Sequence, residues 1–451
     1  MSGVRVAAAR ALLAVEAGRS TLAGALDRAH AAGDSRRDAA LLVELAAGVL
    51  RWRNELDAVL TVAGRRAVDD LDPPVRAVLR LGAYQLRHLQ RVPAHAAVHE
   101  AVASVRALGR PRAAGFVNAV LRALGRGAGT EALPRPPAAG ASREDQIKYL
   151  SVTLSHPAWL VERWLAREGF EATARWCAFN NAPPTMTVRS RGRWSVGDIA
   201  TRLRAEGLET ARSPYLPDAL RLPPGTLGRL PEDVRREVRV QDEGSQLVAR
   251  LVGARPGERV LDACAAPGGK TMILAEGMAG GSSSASLLVA ADYRPARVAL
   301  LARTLHDAGV EAPIVALDAR RPLPFGAVFD WLLIDAPCSG LGTLRRDPDL
   351  KWTRQPEDLP GLAAAERAML AQAATAVRPG GCVVYATCSS EPEENLEVVR
   401  GFLTDRSDFR LVRPAHLAAD LVTPEGCLTT SPAAHGLDAF FAAVLVRQER
   451  A

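Results

Sequence analysis

The chain has 451 residues, a formal net charge of +7 and a pI of about 9.4, a length that predicts two or three domains. The basic excess favours a polyanionic partner, while no apolar stretch reaches the roughly 18 residues that a membrane span needs. Six cysteines without a CxxC pair disfavour a disulfide framework or a zinc site, so we expect no metal, and free thiols suit a reducing, cytoplasmic compartment.

The first part of the chain has helical periodicity. Apolar residues recur at helical spacing between residues 4 and 126, for example at Val75, Val78 and Leu79 after the helix-starting pair Pro73-Pro74. We therefore predict an all-α domain over residues 1–130. Residues 1–135 hold 20 Arg and 12 acidic residues, a net charge of +8, which leaves −1 for the remainder. Such a basic surface suits contacts to nucleic-acid phosphates, and a solvated helical face is the alternative.

The middle of the chain contains a break and then mixed signals. A stretch rich in Pro, Gly and Ala includes Pro134, Pro136 and Pro137. Because this composition packs poorly, we assign residues 131–145 to an interdomain linker. Residues 159–165 have helical spacing and residues 185–189 alternate as a strand does. We predict a small α+β subdomain over residues 146–240.

From residue 241 to 451, short apolar strands alternate with helical segments. Strands are predicted at 259–262, 287–291, 314–317, 329–334 and 382–386, with helices between them from residues 270, 296 and 362. This alternation predicts an α/β domain with a doubly wound parallel sheet. Such a sheet binds its ligands at the carboxyl ends of its strands.

Two kinds of residue at those strand ends indicate a cofactor site. Asp292 ends the second strand, 23 residues after Gly269, where an acid bonds ribose hydroxyls; capping of the next helix is the alternative. Asp318 follows the third strand, where a carboxylate can receive an adenine amino group. The first strand runs into a turn whose glycines let a ligand approach the backbone, although it matches neither GxxxxGK[ST] nor GxGxxG. The turn reads Cys264-Ala265-Ala266-Pro267-Gly268-Gly269-Lys270. Together these features indicate an adenosyl cofactor rather than a dinucleotide.

Two thiols also follow strands. Cys338 comes after the fourth strand and Cys388 ends the fifth. A lone buried cysteine is usually inert packing, but this architecture holds its ligands at strand ends. Only three of the 57 basic residues are lysines, and two of them, Lys270 and Lys351, lie close to these motifs. Because an ammonium is a compact point charge and a guanidinium is a broad fork, we expect that arginine would not fit there.

At these residues the chain resembles the bacterial ribosomal RNA small-subunit methyltransferase B family, within the RNA cytosine-5 methyltransferases. Residues 262–271, 335–352 and 385–395 carry the resemblance, which extends over nearly the whole chain. Residues 113–122 resemble the family's N-terminal domain, which is similar to the RNA-binding antitermination factor NusB. The resemblance implies a NusB-like helical bundle and a Rossmann-like class I methyltransferase domain that uses S-adenosyl-L-methionine. Ala439 departs from the family's usual glycine, so the local backbone there is expected to differ.

The resemblance also implies a role for each residue of the site. Cys388 would be the nucleophile, Cys338 would resolve the adduct, and Asp335 would lie between cofactor and target base. Lys270 is added to the catalytic set because of its positive charge. The implied cofactor-binding set is Cys264, Ala265, Ala266, Pro267, Gly268, Gly269, Lys270, Asp292 for the ribose, Arg297, Asp318 for the adenine edge, and Asp335.

The chemistry explains why a thiol is needed. Carbon 5 of cytosine is a poor nucleophile, and a thiolate that adds at carbon 6 activates it by covalent catalysis. A free thiol, with a pKa of about 8.5, supplies little thiolate at neutral pH, so Lys270 or Lys351 is expected to place positive charge near Cys388. DNA cytosine-5 enzymes use the cysteine of a Pro-Cys dipeptide, here Cys338, so the two roles could be exchanged. The base that removes the carbon-5 proton is either Cys338 or a water.

The expected substrate is a single-stranded or looped cytosine of 16S ribosomal RNA that leaves its stack. Three other functions stay open: cytosine-5 methylation of transfer RNA or DNA, methylation of an amino group, and non-catalytic RNA binding or antitermination. Amino-group enzymes commonly carry an Asn-Pro-Pro-Tyr type segment, where this chain has Asp335-Ala336-Pro337-Cys338. The two strand-end thiols argue against a non-catalytic role. The nucleotide, the form of the RNA and the oligomeric state stay open, with a monomer as the default expectation.

Overall fold

The structure, a computed structural model, describes residues 2–30, 35–280 and 286–449. The chain forms two compact units. Unit 1 contains residues 1–183 and 344–356, and unit 2 contains residues 184–343 and 357–451. The predicted linker 131–145 lies within unit 1 and runs into the helix Arg143–Lys148. This division into two compact units does not test the predicted domain boundaries at 130, 145 and 240, which stay predictions.

Unit 1 is helical, as predicted. Two prolines open the helix Pro73–His88, whose residues Val75, Val78 and Leu79 are buried. A Cβ on Gly82 of this helix would lie 2.4 Å from a methyl of Leu121, so glycine permits the close approach of the helix Ala114–Gly125. The helices of unit 1 are Ser2–Glu16, Leu22–Ala29, Arg36–Arg51, Arg53–Gly64, Pro73–His88, Ala94–Ala107, Ala114–Gly125, Arg143–Lys148, Ala158–Asn181 (interrupted at Gly169) and Leu350–Thr353.

The segment 344–356 is part of unit 1 although it comes late in the sequence. Leu344 is fully buried. The indole N–H of Trp352 donates to the carbonyl oxygen of Leu50 at 2.7 Å, and the backbone N–H of Leu22 donates to the Asp349 carboxylate at 3.0 Å. The core of unit 1 is therefore assembled from two separate stretches of chain.

Unit 2 begins with a small antiparallel sheet. Its strands are β1 (Met186–Ser190), β2 (Ala211–Arg212), β3 (Ala219–Leu222) and β4 (Val238–Val240), in the order β2-β3-β1-β4. The helices Val196–Ala205 and Glu232–Glu237 accompany them. A capping box between Ser195 and Asp198 starts the first of these helices. The α+β character predicted for this region is confirmed.

The larger sheet of unit 2 is mixed. Five strands are parallel, in the order β9-β8-β5-β6-β7, and β10, β11 and β12 are antiparallel additions beside β9. The predicted parallel sheet is thus extended at this edge by antiparallel strands that were not predicted, because no strand was assigned after residue 386. The strands are β5 (Arg259–Asp262), β6 (Leu287–Asp292), β7 (Ile314–Ala316), β8 (Phe329–Asp335), β9 (Val377–Thr387), β10 (Phe409–Val412), β11 (Leu428–Thr429) and β12 (Phe441–Arg447).

Helices link and flank these strands, which gives the predicted α/β architecture with the apolar sheet buried. They are Glu243–Arg250, Gly269–Gly277, Pro295–Ala308, Asp358–Ala376, Leu396–Asp405 and Pro432–His435. A search of residues 2–30, 35–280 and 286–449 finds no helix with both the length and the apolar character that crossing a bilayer demands.

Candidate active site

The turn after β5 forms one wall of the candidate site. Gly268 has φ of +112° and ends the turn, and the helix Gly269–Gly277 begins directly after it. A side chain at residue 268 would be strained at this φ. Cys264 lies within the turn, where burial and then the charge of Asp262 raise the pKa of its thiol. Cys264 is therefore a neutral thiol, in keeping with packing rather than nucleophilic chemistry.

Asp292, at the end of β6, is joined to this turn. Its carboxylate accepts a hydrogen bond from the backbone N–H of Ala266 at 3.2 Å and from the Arg297 guanidinium at 3.1 Å. Arg297 also donates to the carbonyl oxygen of Ala266 at 2.6 Å. The structure thus brings together three of the predicted cofactor residues, and Arg297 links the turn to Asp292.

Asp318, just beyond β7, is paired with a residue that the sequence reading missed. Arg320 binds its carboxylate through two hydrogen bonds of 2.8 Å, and these lower the pKa of Asp318. The guanidinium of Arg320 also lies over the ring of Tyr293 at 5.5 Å. Tyr293 is 58 % exposed. Position alone could have suggested both residues, because Tyr293 directly follows Asp292 and Arg320 lies two residues after Asp318.

Lys270, in the first turn of the helix Gly269–Gly277, and Asp335, at the end of β8, form a charged pair. The Lys270 ammonium donates to the Asp335 carboxylate at 2.6 Å. Burial alone would lower the pKa of Lys270, but the charge and hydrogen bond of Asp335, together with Cys388 and Asp262, raise it. Lys270 therefore carries its positive charge at neutral pH, beside the thiol predicted to be the nucleophile.

The two predicted cysteines meet at adjacent strand ends. Because β8 and β9 are parallel neighbours, the segments that follow them lie side by side, and the sulfurs of Cys338 and Cys388 are 3.4 Å apart. The hydrogen bond to Cys388 raises the pKa of Cys338, and burial adds to this. Cys338 is therefore a neutral thiol that can donate to its neighbour.

A glycine lets the two cysteine-bearing segments approach. The N–H of Gly342 donates to the carbonyl oxygen of Cys388 at 2.9 Å, and its own carbonyl accepts from Ala439 at 2.9 Å. A Cβ on Gly342 would lie 2.0 Å from the Ala439 carbonyl oxygen. Ala439, the residue that departs from the family pattern, does not have a positive φ, so its backbone accepts an alanine without strain.

Behind the cysteines lies a buried group that the sequence reading missed. Ser339, Ser389 and Glu394 are hydrogen-bonded to one another, and we call them the serine–glutamate cluster. All three are buried. In the sequence Glu394 lies in a run of acids after Cys388, which resembles an ordinary helix start and gives no signal of burial.

Lys351 has partners of another kind. It lies in unit 1, where its ammonium donates to the carbonyl oxygens of Arg51 and Ser155 at 3.2 and 3.3 Å and to the side-chain oxygen of Asn181 at 2.7 Å. Burial lowers its pKa well below the ordinary lysine value. These bonds support a structural role for Lys351, and of the two lysines only Lys270 has Cys388 among the groups that set its pKa.

The site fits an adenosyl cofactor by the chemistry of its acceptors. Asp292 ends β6 and is bonded to the glycine turn, and Asp318 lies just beyond the neighbouring parallel strand β7. Carboxylates accept hydrogen bonds from ribose hydroxyls and from an amino group. One oxygen of the buried Asp262, at the end of β5, has no hydrogen-bond partner within the described residues. Burial raises the pKa of Asp262 to about 7.

Comparison with known proteins agrees with this geometry. The family model described as "16S rRNA methyltransferase RsmB/F" matches residues 249–446 of the chain. The chain is 38 % identical over 405 residues to the ribosomal RNA small subunit methyltransferase B of Pseudomonas putida, which covers 88 % of each chain. It is 36 % identical over 454 residues to the protein of the same name from Sodalis glossinidius, covering 99 % of this chain and 98 % of that one. The chain belongs to the RsmB/F family of 16S rRNA methyltransferases.

Membership of the family fixes the broad activity and the domains. The protein is an S-adenosylmethionine-dependent methyltransferase whose substrate is RNA. Residues 2–126 match the NusB family, and residues 156–226 match the family's ferredoxin-like domain, so the predicted NusB-like bundle is confirmed. The crystal structure of PH0851 has the same fold, with a TM-score of 0.78 at 23 % identity over 98 % of this chain and 99 % of that one.

Proposed function

We propose that this methyltransferase modifies carbon 5 of a cytosine in 16S ribosomal RNA, through a covalent bond between Cys388 and carbon 6 of the base. The observation that carries the proposal is the pair of thiols, 3.4 Å apart at adjacent strand ends, with the Lys270–Asp335 pair beside them. Methylation of an amino group has no use for a thiol pair, whereas addition to carbon 6 requires a sulfur nucleophile.

The choice of Cys388 as nucleophile follows from the asymmetry of the two thiols. The hydrogen bond to Cys388 and burial raise the pKa of Cys338, so Cys338 is the thiol that keeps its proton. The sulfur of Cys338 also accepts a hydrogen bond from the backbone N–H of Cys388 at 3.3 Å. The ammonium of Lys270 adds positive charge near the sulfur of Cys388, and a nearby cation favours a thiol nucleophile. Cys388 is therefore the sulfur that attacks, and Lys270 assists it.

The attack forms the bond between sulfur and carbon 6 and moves the double-bond electrons toward carbon 5 and the ring. Asp335 accepts hydrogen bonds from the exocyclic amine and from N3 when that nitrogen is protonated, which stabilises the charge as the adduct forms. Bound S-adenosylmethionine supplies the methyl group. Cys264 through Gly269, Asp292, Arg297 and Asp318 are the residues proposed to hold that cofactor.

Release requires loss of the proton from carbon 5. Once Cys388 is bonded to carbon, its sulfur no longer carries charge, so the hydrogen bond and repulsion that keep Cys338 protonated are relieved. After its own proton passes to water, Cys338 can take the carbon-5 proton. The electrons of that carbon–hydrogen bond restore the double bond and expel Cys388 as a thiolate.

The substrate is tested by mapping 5-methylcytosine in ribosomal RNA. Bisulfite sequencing of 16S rRNA from a strain that lacks the gene is expected to reveal one or more cytosines that lose their mark. Restoring the gene is expected to restore the mark, and the Cys388→Ala variant is the matched control that does not. If every 16S cytosine keeps its methyl group while a transfer RNA cytosine loses one, the assignment of ribosomal RNA as substrate is wrong. The proposed cytosine chemistry is then retained.

A further inference from the structure

The serine–glutamate cluster connects the two cysteine-bearing segments through one carboxylate. Oε1 of Glu394 accepts from the backbone N–H of Ser339 at 2.6 Å, and Oε2 accepts from the Ser339 hydroxyl at 2.6 Å. The Ser389 hydroxyl donates to the same Oε2. Ser339 directly follows Cys338 and Ser389 directly follows Cys388, so each bond acts one residue away from a reacting sulfur.

The backbone around Glu394 is also held by hydrogen bonds. The backbone carbonyl of Glu394 accepts from the Tyr385 hydroxyl at 2.6 Å. The next residue, Asn395, donates from its side-chain amide to the carbonyl oxygen of Ser389 at 3.0 Å. Glu394, Tyr385 and Ser339 are each fully buried. A buried, fully bonded side chain has a single conformation, so it can set a distance between the two segments that it joins.

Glu394 is the common acceptor of the cluster. Its side chain accepts three hydrogen bonds from the two serine-bearing segments. Its neighbour Glu366 is also buried. Burial, and then the charge of Glu394, raise the pKa of Glu366 to about 10. Glu366 is therefore protonated at neutral pH.

We propose that Glu394 is a positioning residue that sets the separation of the two thiols: through Ser389 it fixes Cys388 for adduct formation, and through Ser339 it fixes Cys338 for release. This inference rests on the proposed function. In this proposal each serine acts in a different step. A carboxylate that only stabilised the fold would affect both steps alike.

The test measures adduct formation and adduct release separately, with the full chain, S-adenosylmethionine and a 16S rRNA transcript. Adduct is followed as a protein–RNA complex that survives denaturation. Ser389→Ala is expected to slow adduct formation about tenfold, the cost of one ordinary hydrogen bond, and to leave release unchanged. Ser339→Ala is expected to slow release by a similar factor and to leave formation unchanged. Glu394→Gln is expected to slow both steps, by about a hundredfold, with KM for RNA unchanged.

Glu366→Gln is the matched control. Because glutamine resembles a protonated glutamate in shape and charge, this variant is expected to keep both rates within about twofold of the wild type. A second readout needs no RNA: diamide oxidises two nearby thiols to a disulfide, taking two electrons and two protons. The rate of Cys338–Cys388 disulfide formation is expected to fall in Glu394→Gln and to hold in Glu366→Gln.

Two results would overturn the inference. One is wild-type rates of both steps in Ser389→Ala and Ser339→Ala, which are smaller changes than Glu394→Gln and keep the test open if that variant does not fold. The other is an equal loss of both steps in each serine variant, since that is the pattern of a general loss of structure. Failure of the proposed function looks different, because then the wild-type chain forms no RNA adduct while diamide still distinguishes Glu394→Gln from Glu366→Gln.

Discussion

Lys270 and Lys351 occupy opposite environments. Lys270, in the methyltransferase site of unit 2, bonds a carboxylate, and the anionic groups around it raise its pKa against the effect of burial. Lys351, in the helical unit, bonds three neutral oxygens, and burial lowers its pKa. From the sequence, either lysine was a candidate for placing positive charge near Cys388.

The difference shows that burial of a lysine does not by itself indicate function. A charge is maintained where carboxylates compensate for lost solvation, and it is disfavoured where only carbonyls are available. We therefore expect changes in the thiol site to alter chemistry with little effect on folding. Changes around Lys351 should alter the stability of unit 1 first.

The largest effect is expected at Cys388. Cys388→Ala removes the nucleophile, so methylation should fall by at least about 10⁴-fold, with no RNA adduct and an unchanged melting temperature. Cys338→Ala should accumulate the adduct, because attack is retained and release is slowed. The measurement is a denaturing gel of enzyme and RNA with a radioactive methyl donor. Adduct in Cys388→Ala and none in Cys338→Ala would exchange the two roles.

The next effect separates the two lysines directly. Lys270→Met should slow methylation by about a hundredfold, since it removes a preorganised charge next to the reacting sulfur. It should also move the pH at which iodoacetamide alkylates Cys388 to higher values. Mass spectrometry of the peptide that contains Cys388 gives the alkylation rate at each pH. Lys351→Met is the control. An equal shift of the alkylation pH in both variants would show that the two lysines do not differ in their effect on Cys388.

The third prediction concerns the stability of unit 1. The pKa of Lys351 is lowered in the folded chain by burial and by Arg51, partly opposed by Cys177, so the unfolded chain binds the proton more tightly. The free energy of unfolding should therefore increase as pH rises from this lowered pKa toward the unfolded value of 10.5. Lys351→Met should remove this increase. It should also cost about 2 kcal/mol at pH 7, because Arg51, Ser155 and Asn181 lose a donor.

The measurement is thermal unfolding of wild type and Lys351→Met between pH 7 and about pH 10, the region below the unfolded pKa. The difference between the two chains isolates Lys351 from other titrating groups, including His156, whose own pKa burial lowers. Parallel curves for the two chains would show that Lys351 does not titrate in this range.

The smallest effect is expected for an exposed cation. Arg236 pairs with Glu232 one helical turn away, and both side chains are about three-quarters exposed. Arg236→Ala should change the free energy of unfolding by no more than about 0.5 kcal/mol and leave methylation unchanged, because water screens such a pair. Chemical denaturation measures the first and the methylation assay the second. If Arg236→Ala lowers the free energy of unfolding as much as Lys351→Met does, burial does not explain the difference between the two sites.

The position of the candidate residues at strand ends could be predicted because it depends on local sequence. Asp292, Asp335, Cys338 and Cys388 lie at or just beyond the ends of β6, β8 and β9, and parallel strands bring their carboxyl ends to one edge. Their roles stay predictions. The antiparallel strands after residue 386 were missed, because β10 and β11 are short and the pairing of β12 with β9 is not local.

Other features have no local signal. Glu394 and Glu366 lie far enough apart in the sequence that only the packing of the helix Asp358–Ala376 brings them together. Lys351 illustrates the opposite error, since its neighbours in sequence belong to a catalytic motif while its hydrogen-bond partners come from residues 51, 155 and 181. Position within a motif therefore does not define the role of a residue, and its contacts must be known.

The discontinuity of unit 1 bears on how the protein emerges from the ribosome. Domains generally fold from the N-terminus during synthesis, but the helical unit includes residues 344–356. The buried Leu344 and the bond from Trp352 to Leu50 become available only after most of the chain has been translated. Until then the earlier helices form an incomplete core, and the methyltransferase sequence must be translated past Cys338 before that core can close.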